Sequence, residues 1–425
     1  MDDTQRIGPP PLPSHYGKPL EPVRPEERIA SLDVLRGLAL LGILISNMMF
    51  FAQPLDQSGM RTGLWFGWFD RLADWLSLLF VEGKFYPLFS ILFGLGFSMQ
   101  MERAKSRALD PDAPFRRRLF VLMGLGLAHG ILLWNGDVLF AYGLCGFALM
   151  LFRNRKPRTL MIWAAVLIIM SALFYFLVGF LLILLDGNQE FAEALQEDPA
   201  ERDALIRAYV IGGYGDAVSH RLGAFVFAIL IVMLMAPGFM GLFIVGLLAG
   251  RQRIITEAAE HRGFLTKAFW VCLIAGLAGN FLGASMIFSA SAGSAYGLLF
   301  LGIGVISIFG PFLTAAYIAG IALLMDRKPS LAILQPIAAA GRMALSNYLA
   351  QSLIATTLFY GYGFGLAGEV GRLATILIAL LIFAAQVAFS VLWLKTFRYG
   401  PMEWLWRSLT YGKRQPMRHA PTPPP

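Results

Sequence analysis

Run after run of apolar residues, many of them about 20 long, is the feature that most limits what this chain can become. A helix of that length crosses the hydrocarbon core of a bilayer. Hydrophobic residues make up 57% of the chain and charged residues only 15%; an ordinary soluble domain carries about a quarter charged. The mean hydropathy of +0.63 points the same way. The expectation is an all-α, polytopic transmembrane helix bundle of about 10 spans, with the lipid bilayer as its first partner. The formal charge of +8 then belongs to loops rather than to nucleic-acid binding, because Lys and Arg collect on the cytoplasmic side.

The hydropathy pattern places spans at about 34–52, 85–101 and 119–134, a fourth ending at Arg153, then 159–185, 222–249, 269–288, 296–325, 338–359 and 373–394. Pro237-Gly238 predicts a kink in the sixth, and Pro311 lies mid-way along the eighth. Between the first two spans, LWFGWFDRLADWLSLLF sets Asp70, Arg71 and Asp74 at helical spacing among tryptophans. That pattern predicts an interfacial or re-entrant amphipathic helix.

The loops after spans two, four, six and eight and the tail after ten are basic. Those after three (NGD) and seven (SASAGSA) have no Lys or Arg, loop 186–219 is acidic, and the loop after nine has only Arg372. The positive-inside rule then puts both termini in the cytoplasm. Residues 1–27, rich in Pro and polar side chains, predict a disordered cytoplasmic arm; 28–415 form a single transmembrane domain; 416–425 are a disordered Pro-rich tail. Cys145 and Cys272 form no framework. No HExxH, CxxC, P-loop or GxSxG occurs, so metal or nucleotide hydrolysis and serine-hydrolase chemistry find no support and no metal is expected.

Polar groups inside such a bundle are costly and mark pairing or function. In SLDVLRGLALLGILISN, Asp33 and Arg36 stand at the entrance of the first span and Asn47 eleven positions past Arg36. Arg36 and Asn47 therefore share a helix face about 16 Å apart. Asn47 either bonds a neighbouring helix or serves a site. The topology gathers Asn47, His129, Asp137, Asp70, Asp74, His220 and Arg221 toward the outer face. His129 is the candidate for proton transfer, since an imidazole titrates near neutrality. Asp137, in its NGD setting, reads as an N-cap of span four, as a partner for His129, or as both. On the inner side Arg116, Arg117 and Arg118 are topology determinants beside anionic lipid or a cradle for the phosphates of an anionic donor. Asn347 and Gln351, four apart in span nine, read as interhelical hydrogen bonds or as binding groups.

Four stretches together carry a family resemblance: LDVLRGLALLGILISN, EGKFYPLFSILFGLGFSM, AHGILLWNGDVLFAYGLCG, and GRMALSNYLAQSL with FRYGPMEWLWRSLTYGKR. Over residues 28–415 the chain resembles the YeiB-like family of bacterial inner-membrane proteins, a domain-of-unknown-function family. That family is remotely similar to membrane acyltransferases: OafA-type sugar O-acyltransferases and the lysosomal heparan-alpha-glucosaminide N-acetyltransferase. The shared pattern is an Arg near the start of span one and a polar residue eleven positions on, His in the OafA type and Asn in the heparan enzyme, as with Asn47 here. The resemblance implies an inner-membrane location and an acyl group passed from cytoplasmic acyl-CoA to an envelope saccharide or lipid-linked acceptor. Asn47 supplies no base, so it would orient the donor or stabilise charge while His129 with Asp137 takes the proton. The alternative is a permease for a small anionic or hydrophobic solute, favoured by the Pro-broken spans six and eight and the buried Asn347 and Gln351 pair; a membrane assembly factor is a third reading.

Overall fold

The computed structural model describes residues 29–54, 61–106, 110, 112–186, 199–293, 295–328 and 332–419. The expected 1–27 arm and the acidic positions 190, 193, 197 and 198 lie outside the described residues. So do residues 420–425; residues 416–419 run back beside the end of the last long helix, with Arg398 N donating to Met417 O at 2.9 Å.

Among the described residues the fold is helical, without a strand. In chain order the helices are α1 Ala30–Ala52, α2 Trp68–Phe80, α3 Phe85–Ser106, α4 Asp112–Leu132, α5 Leu139–Met150, α6 Pro157–Leu184 and α7 Pro199–Ile206. There follow α8 Tyr214–Leu234, α9 Ala236–Arg251, α10 Arg262–Gly293, α11 Tyr296–Arg327, α12 Leu334–Arg342, α13 Ala344–Phe359, α14 Arg372–Thr396 and α15 Pro401–Tyr411. Among the described residues, seven helical segments are long and apolar enough to cross a membrane: α1, α2 continued into α3, α6, α8, α10, α11 and α14. This is a membrane protein. Helix stands at every one of the ten expected spans, but α5 has 12 residues and α13 has 16, or about 18 and 24 Å of rise.

Small residues decide where helices meet, because lipid-facing helices gain by close packing rather than by leaving water. A side chain at Gly37 would strike the Ile337 backbone and one at Gly341 the Asp33 carbonyl, so α1 and α12 cross in contact. Gly94 and Gly246 do the same for α3 and α9. The longest helices, α10 and α11, form an antiparallel hairpin that also packs on α6. A break stands where the kink is expected: helix α8 stops at Leu234, and Pro237, which lacks an N–H, sits in the first turn of α9.

Basic helix ends converge on one end of the bundle. Arg251 at the end of α9 donates to the carbonyl of Arg155, at 2.8 Å, and to those of Phe152 and Arg153. Arg253 pairs with Glu102 at the end of α3, and Arg262 lies 2.6 Å from Asp326 at the end of α11. Helix α15, with Trp404 and Trp406, lies against α4 and α13 at this same end.

Candidate functional site

A chamber of about 690 Å³ opens among α1, α3, α4, α5, α6, α9, α12, α13 and α15. That volume is in the usual range for small-molecule sites. Five arginines line it, all at or near the basic end: Arg36, Arg103, Arg118, Arg342 and Arg407. Arg118 lies 4.3 Å above the Trp406 ring and 3.3 Å from Gln100 Oε1, while Trp406 Nε1 donates to the Arg118 carbonyl at 3.2 Å. Arg407 stacks 4.9 Å over Tyr399. Arg342 keeps a buried Nε without a hydrogen-bond partner.

Two carboxylates share this mouth. Asp33 lies 2.7 Å from Arg36 Nη1. Glu403 accepts the Leu345 and Ser346 amides at 2.6 and 3.1 Å and the Ser346 hydroxyl at 2.5 Å, capping the first turn of α13. Burial pushes the Glu403 carboxyl above its usual range, against those hydrogen bonds. The mouth therefore keeps an excess of positive charge, suited to phosphate oxygens.

Asn47 lines the chamber with Phe50, Glu82 and Gly136, away from the arginines. Glu82 is the accessible edge of a buried charge cluster. Arg61 Nη1 donates to Glu82 Oε2 at 2.9 Å and its Nε to Asp74 Oδ2 at 2.7 Å. Arg372 Nη2 donates to Glu82 Oε1 and to Ser77 Oγ, both at 2.7 Å, and Trp65 Nε1 to Asp74 at 3.1 Å. Burial opposes the charge on Arg61, but Glu82 and Asp74 raise its pKa above the ordinary value. Lys84, wholly buried, gives its Nζ protons to the carbonyls of Leu78 and Glu82 at 2.5 and 2.6 Å. Arg61 and Arg372 thus pair with Asp74 and Glu82 in one buried knot, with Lys84 held by backbone carbonyls beside it.

His129 and Asp137 touch. Nδ1 of His129 lies 3.0 Å from Asp137 Oδ2, and Nε2 lies 2.8 Å from Ser352 Oγ on α13. Asp137 also accepts from the amides of Leu139 and Phe140 at 3.1 and 3.0 Å, so it caps α5 and holds the imidazole at once. Neither residue lines the chamber. Tyr348, which does, has its ring 5.0 Å from that of His129 and a buried hydroxyl without a partner. Of the residues expected to gather toward the outer face, Asn47 faces the chamber, whereas His129 and Asp137 stand behind Tyr348 with their polar atoms bonded to one another, to Ser352 and to the start of α5.

Most of the other candidates are structural. Of the three consecutive arginines on α4, helical rotation turns only Arg118 into the chamber, while Arg116 and Arg117 are exposed. Asp70 caps α14 through Leu373 N at 2.9 Å, and Asp74 belongs to the charge knot. His220 meets the Tyr209 hydroxyl at 3.2 Å. Arg221, fully buried, closes α4 by donating to the carbonyls of Ile131, Leu132 and Leu133 at 3.0, 3.1 and 2.7 Å. Asn347 donates to Ala340 O and Ser390 Oγ, each at 3.1 Å, and Gln351 to Gln386 at 3.0 Å; these are interhelical bonds outside the chamber.

Similarity to other proteins follows the whole bundle. The chain is 35% identical over 416 residues to the uncharacterized protein YxaH of Bacillus subtilis, covering 94% of this chain and 98% of that one. It belongs to the YeiB-like DUF418 family. The family's model, described as "Protein of unknown function (DUF418)", matches residues 249–413, which include Arg342, Tyr348, Glu403 and Arg407. The family's uncharacterized protein YeiB of Escherichia coli is 28% identical over 391 residues, 90% of this chain and 96% of its own. An uncharacterized 39.9 kDa protein of Bacillus acidopullulyticus is 27% identical over 409 residues, 94% of this chain and 98% of its own. No solved structure matches.

Proposed function

We propose that this protein is an acyltransferase of the bacterial inner membrane that takes an acyl group from cytoplasmic acyl-CoA and gives it to a hydroxyl of an envelope saccharide or lipid-linked acceptor. One observation carries the reading: a single chamber joins a mouth of five arginines to Asn47. The positive-inside rule makes the arginine end cytoplasmic, with both termini there in a ten-pass arrangement. The CoA phosphates then sit among Arg36, Arg118, Arg342 and Arg407, and the thioester lies deeper.

In the transfer the acceptor oxygen bonds the acyl carbon, the carbon–sulfur bond breaks, and the acceptor proton ends on the CoA thiol. The Asn47 amide donates to the oxyanion that develops on the carbonyl. Tyr348 stands between the chamber and the Asp137–His129 pair, the nearest imidazole able to relay a proton. The test is release of free CoA from acyl-CoA by the purified protein in lipid nanodiscs. Release that falls at least tenfold in Asn47→Ala supports the reading; no release and no CoA binding overturns it.

A permease reading draws on one feature, the break between α8 and α9, since Met235 and Gly238 at that break line the chamber. Uptake of an intact solute into proteoliposomes, without thioester cleavage, would favour it.

A further inference from the structure

We infer that the ligand of the chamber is a long-chain acyl compound with a phosphate-bearing head, the head among the arginines and the chain along the wall leading to Asn47. This rests on the donor reading above and narrows it from acyl groups in general to long ones. On α1, Arg36 and Asn47 are separated by eleven positions, about 16 Å along the axis. Between them the wall includes Ile43, Phe89, Leu92, Phe93, Leu122 and Leu139. Apart from the mouth group and Glu82, no Lys, Arg, Asp or Glu lines the chamber among the described residues.

Among the hydroxyls on this wall, that of Tyr142 is tied to Ser90 Oγ at 2.7 Å and to the Tyr86 carbonyl at 3.1 Å, while Ser46, Tyr86, Ser171 and Tyr175 add scattered polar contacts without charge. A two-carbon acyl group would cover a small part of such a wall. A long chain leaving water would cover it and gain with every methylene. The phosphate head has two natural sources, acyl-CoA from the cytoplasm and an anionic lipid of the inner leaflet, and both present the same chemistry to the arginines.

The experiment is equilibrium binding of CoA and of acetyl-, butyryl-, hexanoyl- and octanoyl-CoA to the full chain in phosphatidylcholine nanodiscs, with empty discs subtracted. The expected result is affinity rising by up to roughly fourfold per methylene, and more than tenfold from acetyl to octanoyl. Gly96 lines the chamber, and a side chain built there meets open space. Gly96→Leu is therefore expected to fold, to plug the route and to flatten the series. Repeating the series in phosphatidylglycerol discs separates the sources: weaker octanoyl-CoA binding assigns the site to a competing lipid, and unchanged binding assigns it to CoA, each in keeping with the inference. CoA and all four thioesters binding equally would overturn the inference and leave the donor reading standing. A chain-length series that persists in folded Gly96→Leu would overturn it too. No binding of any thioester would overturn the donor reading itself.

Discussion

His129 Nε2 lies 2.8 Å from the Ser352 hydroxyl, a residue 223 positions further along the chain. With Asp137 on the other ring nitrogen, this makes a buried carboxylate–imidazole–hydroxyl chain that ties α4, the start of α5 and α13 together. Its first consequence is for stability. Ser352→Ala leaves a buried imidazole nitrogen without its partner, which costs about 1–3 kcal/mol. The melting temperature of the variant in nanodiscs measures this. A loss of activity in His129→Ala bears on proton transfer only if that variant melts within a few degrees of wild type.

The charge knot makes a second prediction. Arg372→Met strands Glu82 and Asp74 with Arg61 alone and is expected to destabilise by about 3–5 kcal/mol. The double variant Arg372→Met, Glu82→Gln restores the balance of one cation to one anion. It is expected to be markedly more stable than the sum of the single changes, a coupling that a thermal double-mutant cycle reads directly.

The third concerns the mouth. Arg118→Ala and Arg407→Ala each remove a guanidinium from the chamber wall and are expected to weaken CoA binding by about tenfold, the worth of one charge-assisted contact. Arg116→Ala and Arg117→Ala, on the exposed face of the same helix, are expected to leave it within about twofold. Isothermal titration of the four variants checks the difference.

Glu403 supplies a pH dependence. Burial raises its pKa, so the folded protein holds that proton more tightly than the unfolded chain does. This contribution to stability is present below the ordinary glutamate range, about 4.3, and is lost as pH rises from there through the raised value in the fold. In Glu403→Gln the amide oxygen still accepts from Leu345 and Ser346, and its NH₂ donates to Ser346 Oγ. Melting temperatures measured from about pH 4 to 7 are expected to show a shallower decline in that variant.

The helical architecture was legible because it follows from apolar run length, and helix α2 because its charges recur at helical spacing. Contacts between distant segments were not legible. Asp137 as a cap was written in NGD, whereas its contact with His129 and that of Ser352 carry no local signal. Arg61 and Arg372 read as loop charges, yet both fold inward to meet Asp74 and Glu82. Arg342, Trp406 and Arg407 lie in stretches whose basic character fits a membrane surface equally well. Only the packing of α15 against α4 and α13 turns Trp406 and Arg407 toward the chamber, while Arg342 reaches it from the end of α12. Arg116, Arg117 and Arg118 could not be told apart by residue type; the direction each takes around α4 separates them.

The central claim, one continuous route from the arginine mouth to Asn47, is tested most directly by thiol accessibility. In a background with Cys145 and Cys272 replaced by alanine, Asn47→Cys in inside-out membrane vesicles is exposed to an anionic, membrane-impermeant methanethiosulfonate. The account predicts labelling that acyl-CoA protects against and that Gly96→Leu abolishes. Labelling that neither acyl-CoA nor Gly96→Leu reduces, or no labelling from this side at all, would contradict it.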